Sequence, residues 1–425
     1  MRKSLALVVV LMAGLATAQE TLHLTLREAE KMALQNNPAL SAAQFTAGAA
    51  DQVPVEIRAG LQPTMFGSFT GVGADSGSRL AAGGLTNPVV YNRIGSGLSL
   101  NQLITDFGRT SNLIASAKFH AAAQDQVTQT VHADILLETD HAYFAVLRAH
   151  SLLTVAQQTV SARQLVADQV AQLAASKLKS QLDVSFANVN LADAKLQLLD
   201  AQNGLQASEA QLATAMGLPG QGGFVLAEEP MPEAPPDLIK PLLQGAIQKR
   251  PELANLRFQS TAAERFVQAE KALSYPSVAV IATAGFVPAG QAVLPGRYGA
   301  LGANVTVPIF NGGLFKARRT EAELRAQAAN KNVQDQENRI IRDVRIAYLN
   351  ALNAYDRMSL TVQLLDQAKL GLDLAQSRYD LGLGSIIELS QAQLNYTSAQ
   401  IVNAGAKYDY QSQHSLLQYE IGDLR

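Results

Sequence analysis

The chain has 425 residues, 16% of them charged, a formal net charge of −2, and neither cysteine nor tryptophan. That charge balance excludes a nucleic-acid binder built on a basic face, which needs a clustered positive stripe. The lack of cysteine excludes disulfides, thiol chemistry, cysteine metal sites and an acylated lipoprotein cysteine.

Residues 1–18 read as a secretory signal peptide. Arg2 and Lys3 are basic, Leu5 to Leu15 are apolar, and Ala16-Thr17-Ala18 is a small-residue cleavage site before Gln19. The apolar run is about ten residues, too short to span a bilayer as a helix. Losing Arg2 and Lys3 takes the net charge from −2 to −4.

The first half, 19–220, opens with Thr25 three residues before Glu28, a capping-box pattern that predicts a helix to about Ala59. Two β-type segments follow, at approximately 63–72 and 94–104. The Gly- and Pro-rich stretch from Gly71 to Asn92 between them reads as an exposed hairpin loop. Gly108 to about Ala175 has no proline and predicts one helix roughly 100 Å long at ~1.5 Å per residue. The chain breaks at Lys177 to Ser180, and a shorter helix returns to end near Gly217. Residues 221–236, rich in Gly and Pro, read as a linker.

The second half, 237–425, repeats the plan. A helix is expected from about Leu238 to Ala272, then strands at approximately 275–286 and 297–309. In the latter, Leu301, Ala303, Val305, Val307 and Ile309 alternate with Ala300, Gly302, Asn304 and Thr306. Ala272 to Gly296 carries no charge, yet Pro276, Gly285, Pro288, Gly290 and Pro295 argue for strand over membrane helix. A second long helix runs from Gly313 to about Asp380. Its heptad of Ile341, Val344, Tyr348, Ala351, Tyr355, Met358, Val362 and Leu365 predicts coiled-coil packing. A break at Gly382 to Ser385 precedes a returning helix that ends near Gly422.

The halves align residue by residue. At an offset of 205, Ala142-Tyr143 meets Ala347-Tyr348, Leu178 meets Leu383, Asp183 meets Glu388, and Gly217 meets Gly422. Upstream the offset is 213, pairing Pro38 with Pro251 and Pro63 with Pro276. A unit of about 200 residues is too long for a solenoid repeat and reads as duplication of an architectural half. In each half a returning helix and an opening helix, end to end, match one long helix, which suits a tube. Each half supplies two strands. Four strands cannot close a membrane barrel, which runs from about 8 upward, so several chains must share one.

The order and duplication of these elements resemble the TolC-type outer-membrane efflux family over the whole mature chain. The residues that carry the resemblance are Leu24 to Ala29, Asn37-Pro38-Ala39-Leu40, and Pro308-Ile309-Phe310-Asn311-Gly312-Gly313 at a strand-to-helix transition. The resemblance implies a mainly α fold with a small β part: a homotrimer with a 12-stranded β-barrel in outer-membrane lipid and a long coiled-coil α-helical barrel in the periplasm. It implies a passive exit duct of a tripartite efflux or type I secretion system, partnered by a periplasmic adaptor and an inner-membrane transporter. The sequence departs from some members in ending at Arg425, directly after the repeat, without their C-terminal extension.

The resemblance also implies site residues. Acidic residues near the helical break constrict the tunnel entrance in the family, which places a periplasmic gate at Asp183 and Glu388. Gln391 stands, uncharged, at a later acidic position. A ring of such carboxylates favours cations. The plainer reading is that both carboxylates start helices, where the helix dipole welcomes negative charge. The turns with Leu178, Ser180, Gly382, Leu383, Gly384 and Ser385 resemble the adaptor-docking region, although Gly and Ser also suit any turn. His132, His141 and His150 recur every nine residues, on alternating faces of a helix, and cannot share a metal. No nucleophile elbow, phosphate loop or zinc helix appears, so neither enzyme chemistry nor a cofactor is expected. The competing reading is a secreted or periplasmic coiled-coil structural protein without a barrel.

Overall fold

The computed structural model describes residues 22–75, 77, 90–220, 222–290, 292 and 294–424. The leader at 1–18 and loop residues 78–89 lie outside them. In chain order the elements are β1 (Leu22–Leu24), α1 (Leu26–Asn36), α2 (Pro38–Ala59), β2 (Thr64–Val72), β3 (Arg93–Thr105), α3 (Arg109–Ala175) and α4 (Gln181–Ala215). The second half continues with β4 (Phe224–Leu226), α5 (Ile239–Lys249), α6 (Pro251–Ala272), β5 (Ser277–Gly290), β6 (Arg297–Thr306), α7 (Leu314–Asp380) and α8 (Ile386–Glu420).

The helices pair in length across the halves. α3 and α7 have 67 residues each, and α4 and α8 have 35 each. Both long helices begin at a left-handed glycine, Gly108 with φ 92° and Gly313 with φ 85°. α3 packs along α2 and α4, and α7 along α6 and α8. The end-to-end joints depend on glycine. A Cβ on Gly217 (φ 70°) would lie 2.8 Å from the Asn36 backbone, and one on Gly422 (φ 77°) 2.9 Å from Lys249 Cβ. The end of each returning helix therefore abuts the end of an opening helix.

Three local features differ from the periodicity reading. The opening helices are each split before proline: Asn37 (ψ 119°) and Arg250 (ψ 118°) are extended, because proline disfavours the helical conformation of its predecessor. Asn37 Oδ1 then accepts from the Ala39 N–H at 2.9 Å and starts α2. The second difference is a parallel pairing of β1 with β4, which lies inside the segment read as a linker. Tyr143 locks the pair by donating from its hydroxyl to Leu24 O (3.0 Å) and Ala227 O (2.7 Å). Three-residue strands carry no alternation long enough to read. The third difference is the α7 seam. The heptad members Val344, Tyr348 and Ala351 are buried together with Ala347, but beyond them Ala354 and Thr361 are buried whereas Tyr355 and Val362 are exposed. Small side chains at 347, 354 and 361 let the helices approach, and the line shifts by one residue from the larger heptad members.

The four longer strands form one antiparallel sheet in the order β2-β3-β5-β6. β6 stops at Thr306, so Val307 and Ile309 lie beyond it, before the left-handed Gly312 and Gly313. The register separates two faces, because side chains alternate along a strand. Ser68, Gly97, Gly285 and Tyr298 align across all four strands, continuing through Ser99, Asn101, Thr283, Asn304 and Thr306. The opposite face carries Met65, Phe69, Leu98, Leu100, Phe286, Val280, Leu301 and Val305. The first face is mainly polar, although Phe66 and Ile281 share it, and the second is mainly apolar; both edge strands, β2 and β6, are open among the described residues.

Candidate functional site

The helical tips lie one 67-residue helix from the sheet, about 100 Å at ~1.5 Å per residue. Each long helix ends in a left-handed residue, Lys177 (φ 58°) in the first half and Gly382 (φ 73°) in the second. These positions correspond at the repeat offset. Leu178 N–H donates to Leu173 O at 2.9 Å, and Leu383 N–H to Arg378 O at 2.8 Å, closing the last turn in both. Ser180 and Ser385 then cap the returning helices through their hydroxyls.

The two acidic residues behave differently after these caps. Asp183 completes a capping box: its Oδ2 accepts from Ser180 N–H (2.9 Å) and Oγ (2.8 Å), and its own N–H donates to Ser180 Oγ (3.2 Å). Those bonds, from the Ser180 backbone first, hold its carboxyl below the usual carboxylate range. Glu388 gives no reciprocal cap. Its Oε1 accepts from Arg378 Nε at 3.0 Å, across the tip turn. Gln391 turns along its own helix to donate to Asn395 Oδ1 at 3.0 Å. Within one chain, then, each predicted gate residue is engaged locally. Leu178 and Leu383 are exposed on the tip turns, with Ser180, Gly382 and Ser385 also exposed and Gly384 half-buried beside Arg378.

The tips of the two halves pack on one another. Val170, Ala187, Leu191, Tyr379, Ile386 and Leu389 form one buried cluster, and Asn190 donates to Ser390 Oγ at 2.8 Å. Lys179 Nζ sits 3.8 Å above the Tyr379 ring. Burial pushes the Tyr379 phenol up, and the Asp183 and Asp380 charges add to it. Its hydroxyl has no hydrogen-bond partner among the described residues. Sequence reasoning placed Lys179 in the tip turn but missed its contact with Tyr379, and it missed Arg378 and Tyr379 altogether. The one available signal was asymmetry, since Tyr379 stands opposite Ala174 at the repeat offset.

A second set of ionisable groups is buried where α1, α3, α8 and the strand β4 meet. Asp140 is 2% exposed, with Glu30, Ser415 and Glu229 around it, and its Oδ1 has no hydrogen-bond partner among the described residues. Burial above all, with Glu30 and Glu229 adding, raises its carboxyl to about 8; burial also raises Glu30. Glu229 Oε1 accepts from Leu26 N–H at 3.0 Å.

Comparison with known proteins places this architecture. The family model described as outer membrane efflux protein matches residues 29–218 and 242–422. The outer membrane protein TolC of Salmonella enteritidis is 24% identical over 423 residues, covering 94% of this chain and 83% of the relative. Among solved structures, CusC superposes with a TM-score of 0.82 at 19% identity, covering 93% of this chain and 92% of its own. The outer membrane protein VceC of Vibrio cholerae superposes with a TM-score of 0.78 at 19% identity, covering 93% and 96%.

Proposed function

The chain belongs to the outer membrane efflux protein family, and on that premise we propose that three copies close a single duct from the periplasm to the exterior. Members of this family are channels of the outer membrane, and this chain is one of them. The observation that carries the assembly is the sheet. Four strands have one mainly apolar face for lipid, one mainly polar face for a lumen, and two open edges. In a bilayer each unpaired edge group costs several kcal/mol, so β6 of one copy must pair with β2 of the next. Twelve strands then form a closed barrel. The helices support the same reading. Leu182, Val189, Leu196 and Leu199 on α4, and Ile346, Leu349, Leu360 and Leu364 on α7, remain exposed in one chain and need neighbours.

The duct itself is passive; an inner-membrane transporter supplies the energy, and a periplasmic adaptor docks on the tip turns around Leu178, Ser180 and Gly382 to Ser385. The exposed leucines there offer apolar area for that contact. Asp183 and Glu388 form the periplasmic gate, six carboxylates in a trimer, with Gln391 adding no charge. Such a ring favours cations. The capping box and the Arg378 ion pair hold the ring's members in place.

Migration on a semi-native gel tests the assembly. Detergent-extracted protein should run as a trimer when unheated and as a monomer after boiling. A monomer that stays soluble without detergent would return the chain to a coiled-coil structural role.

A further inference from the structure

Arg163 lies on α3 and is only 5% exposed, enclosed by its own chain before any neighbour is added. A guanidinium has five N–H donors and stays charged in proteins. Here Nη1 donates to Gln393 Oε1 on α8, and among the described residues no carboxylate lies within ion-pairing distance of Arg163. Asp193, the nearest acidic influence, is engaged by Gln197 Nε2 at 2.8 Å. Burial lowers the guanidinium from its usual range, and Asp193 only partly opposes that. The remaining guanidinium donors have no protein acceptor among the described residues and are not sealed from solvent, so they are available to an occupant of the adjoining space.

The guanidinium borders a cavity of about 580 Å³ between α3, α7 and α8. Its walls are rich in neutral polar groups, including Thr159, Gln169, Tyr396 and Gln400. Asp373 and Asp380 also border it, and Asp380 is occupied by Gln376 Nε2 at 2.9 Å. We infer that this cavity is a binding site for a small monovalent anion, a carboxylate or a halide, held by Arg163 beside Gln393. The planar fork of arginine matches a carboxylate bidentately, whereas a halide needs only its charge. An occupant here joins the α3–α4 pair to the α7–α8 pair just above the tips.

Crystals of the intact channel soaked in sodium bromide test the site. An anomalous peak within hydrogen-bonding reach of the Arg163 guanidinium is expected, and Arg163→Gln should remove it. Displacement of the bromide by excess sodium acetate assigns the site to carboxylates; bromide that acetate does not displace assigns it to halides. In solution, the thermal midpoint of the wild-type trimer should rise with the bound anion at constant ionic strength, and that rise should vanish in Arg163→Gln. If Arg163→Gln does not fold, Arg163→Lys keeps the charge without the fork and should bind bromide while losing any acetate preference. An ordered wild-type Arg163 with no peak beside it overturns the inference, as does a guanidinium ion-paired to Asp193 or to a carboxylate of a neighbouring copy.

Discussion

Replacing Asp140 with asparagine should make the channel less sensitive to alkaline pH. In the folded chain this carboxyl sits near 8, while its ordinary value is 3.8. The folded state therefore binds a proton that the unfolded state releases between those values. The stabilisation is fully present below about pH 4 and is lost as pH rises through about 8. Each pH unit inside that window costs about 1.4 kcal/mol per protomer for one proton. Between pH 5.5 and 7.5 the wild type should thus lose about 3 kcal/mol per protomer relative to Asp140→Asn, an upper figure because Glu30 shares the proton. Asparagine keeps the shape and cannot ionise. The assay is guanidinium-induced unfolding of the detergent-solubilised trimer, followed by circular dichroism at several pH values. The gap between the two proteins should widen as pH rises. Parallel profiles, or a variant that weakens with pH as steeply as the wild type, would refute the shared-proton account.

Three further outcomes follow from the same structure. Gly285→Ala should destabilise the barrel by about 1–3 kcal/mol, since overpacking forces backbone shifts. Its Cβ would lie 2.4 Å from Ser96 O and 2.5 Å from the Tyr298 ring. Gly302→Ala, with open space around its Cβ, should leave the heat-stability of the trimer band unchanged. Lys177→Gly should stabilise the tip by about 1 kcal/mol, because a side chain there pays for a left-handed backbone; an unchanged or lower unfolding midpoint would contradict this. Asp183→Ala combined with Glu388→Ala should raise single-channel conductance in planar bilayers and weaken cation preference, and unchanged values would remove the gate assignment.

Much of this architecture was legible in the sequence because the signals are local and were written twice. The 67-residue helices lack proline and start after glycine, so their limits could be placed at Ala175 and Asp380 from residue type alone. Alternation along 297–309 separated Leu301, Ala303 and Val305 from Gly302, Asn304 and Thr306, because a strand exposes its two faces in strict turn, but it carried the strand on through Val307 and Ile309, past its end at Thr306. The glycines matched at 217 and 422 also stood out, although only the packed chain shows Asn36 and Lys249 leaving no room for a Cβ. Pairings between distant segments were not legible. β1 and β4 are too short to carry a pattern, and Asp140 meets Glu30 and Ser415 only because three helices converge. At the tips, sequence placed Asp183 and Glu388 as equivalents, yet one closes a box with Ser180 and the other reaches Arg378. Which partner a side chain finds depends on the geometry of the turn beside it. Likewise Arg163 is an ordinary helical arginine until α8 lies over it and brings Gln393 to its guanidinium.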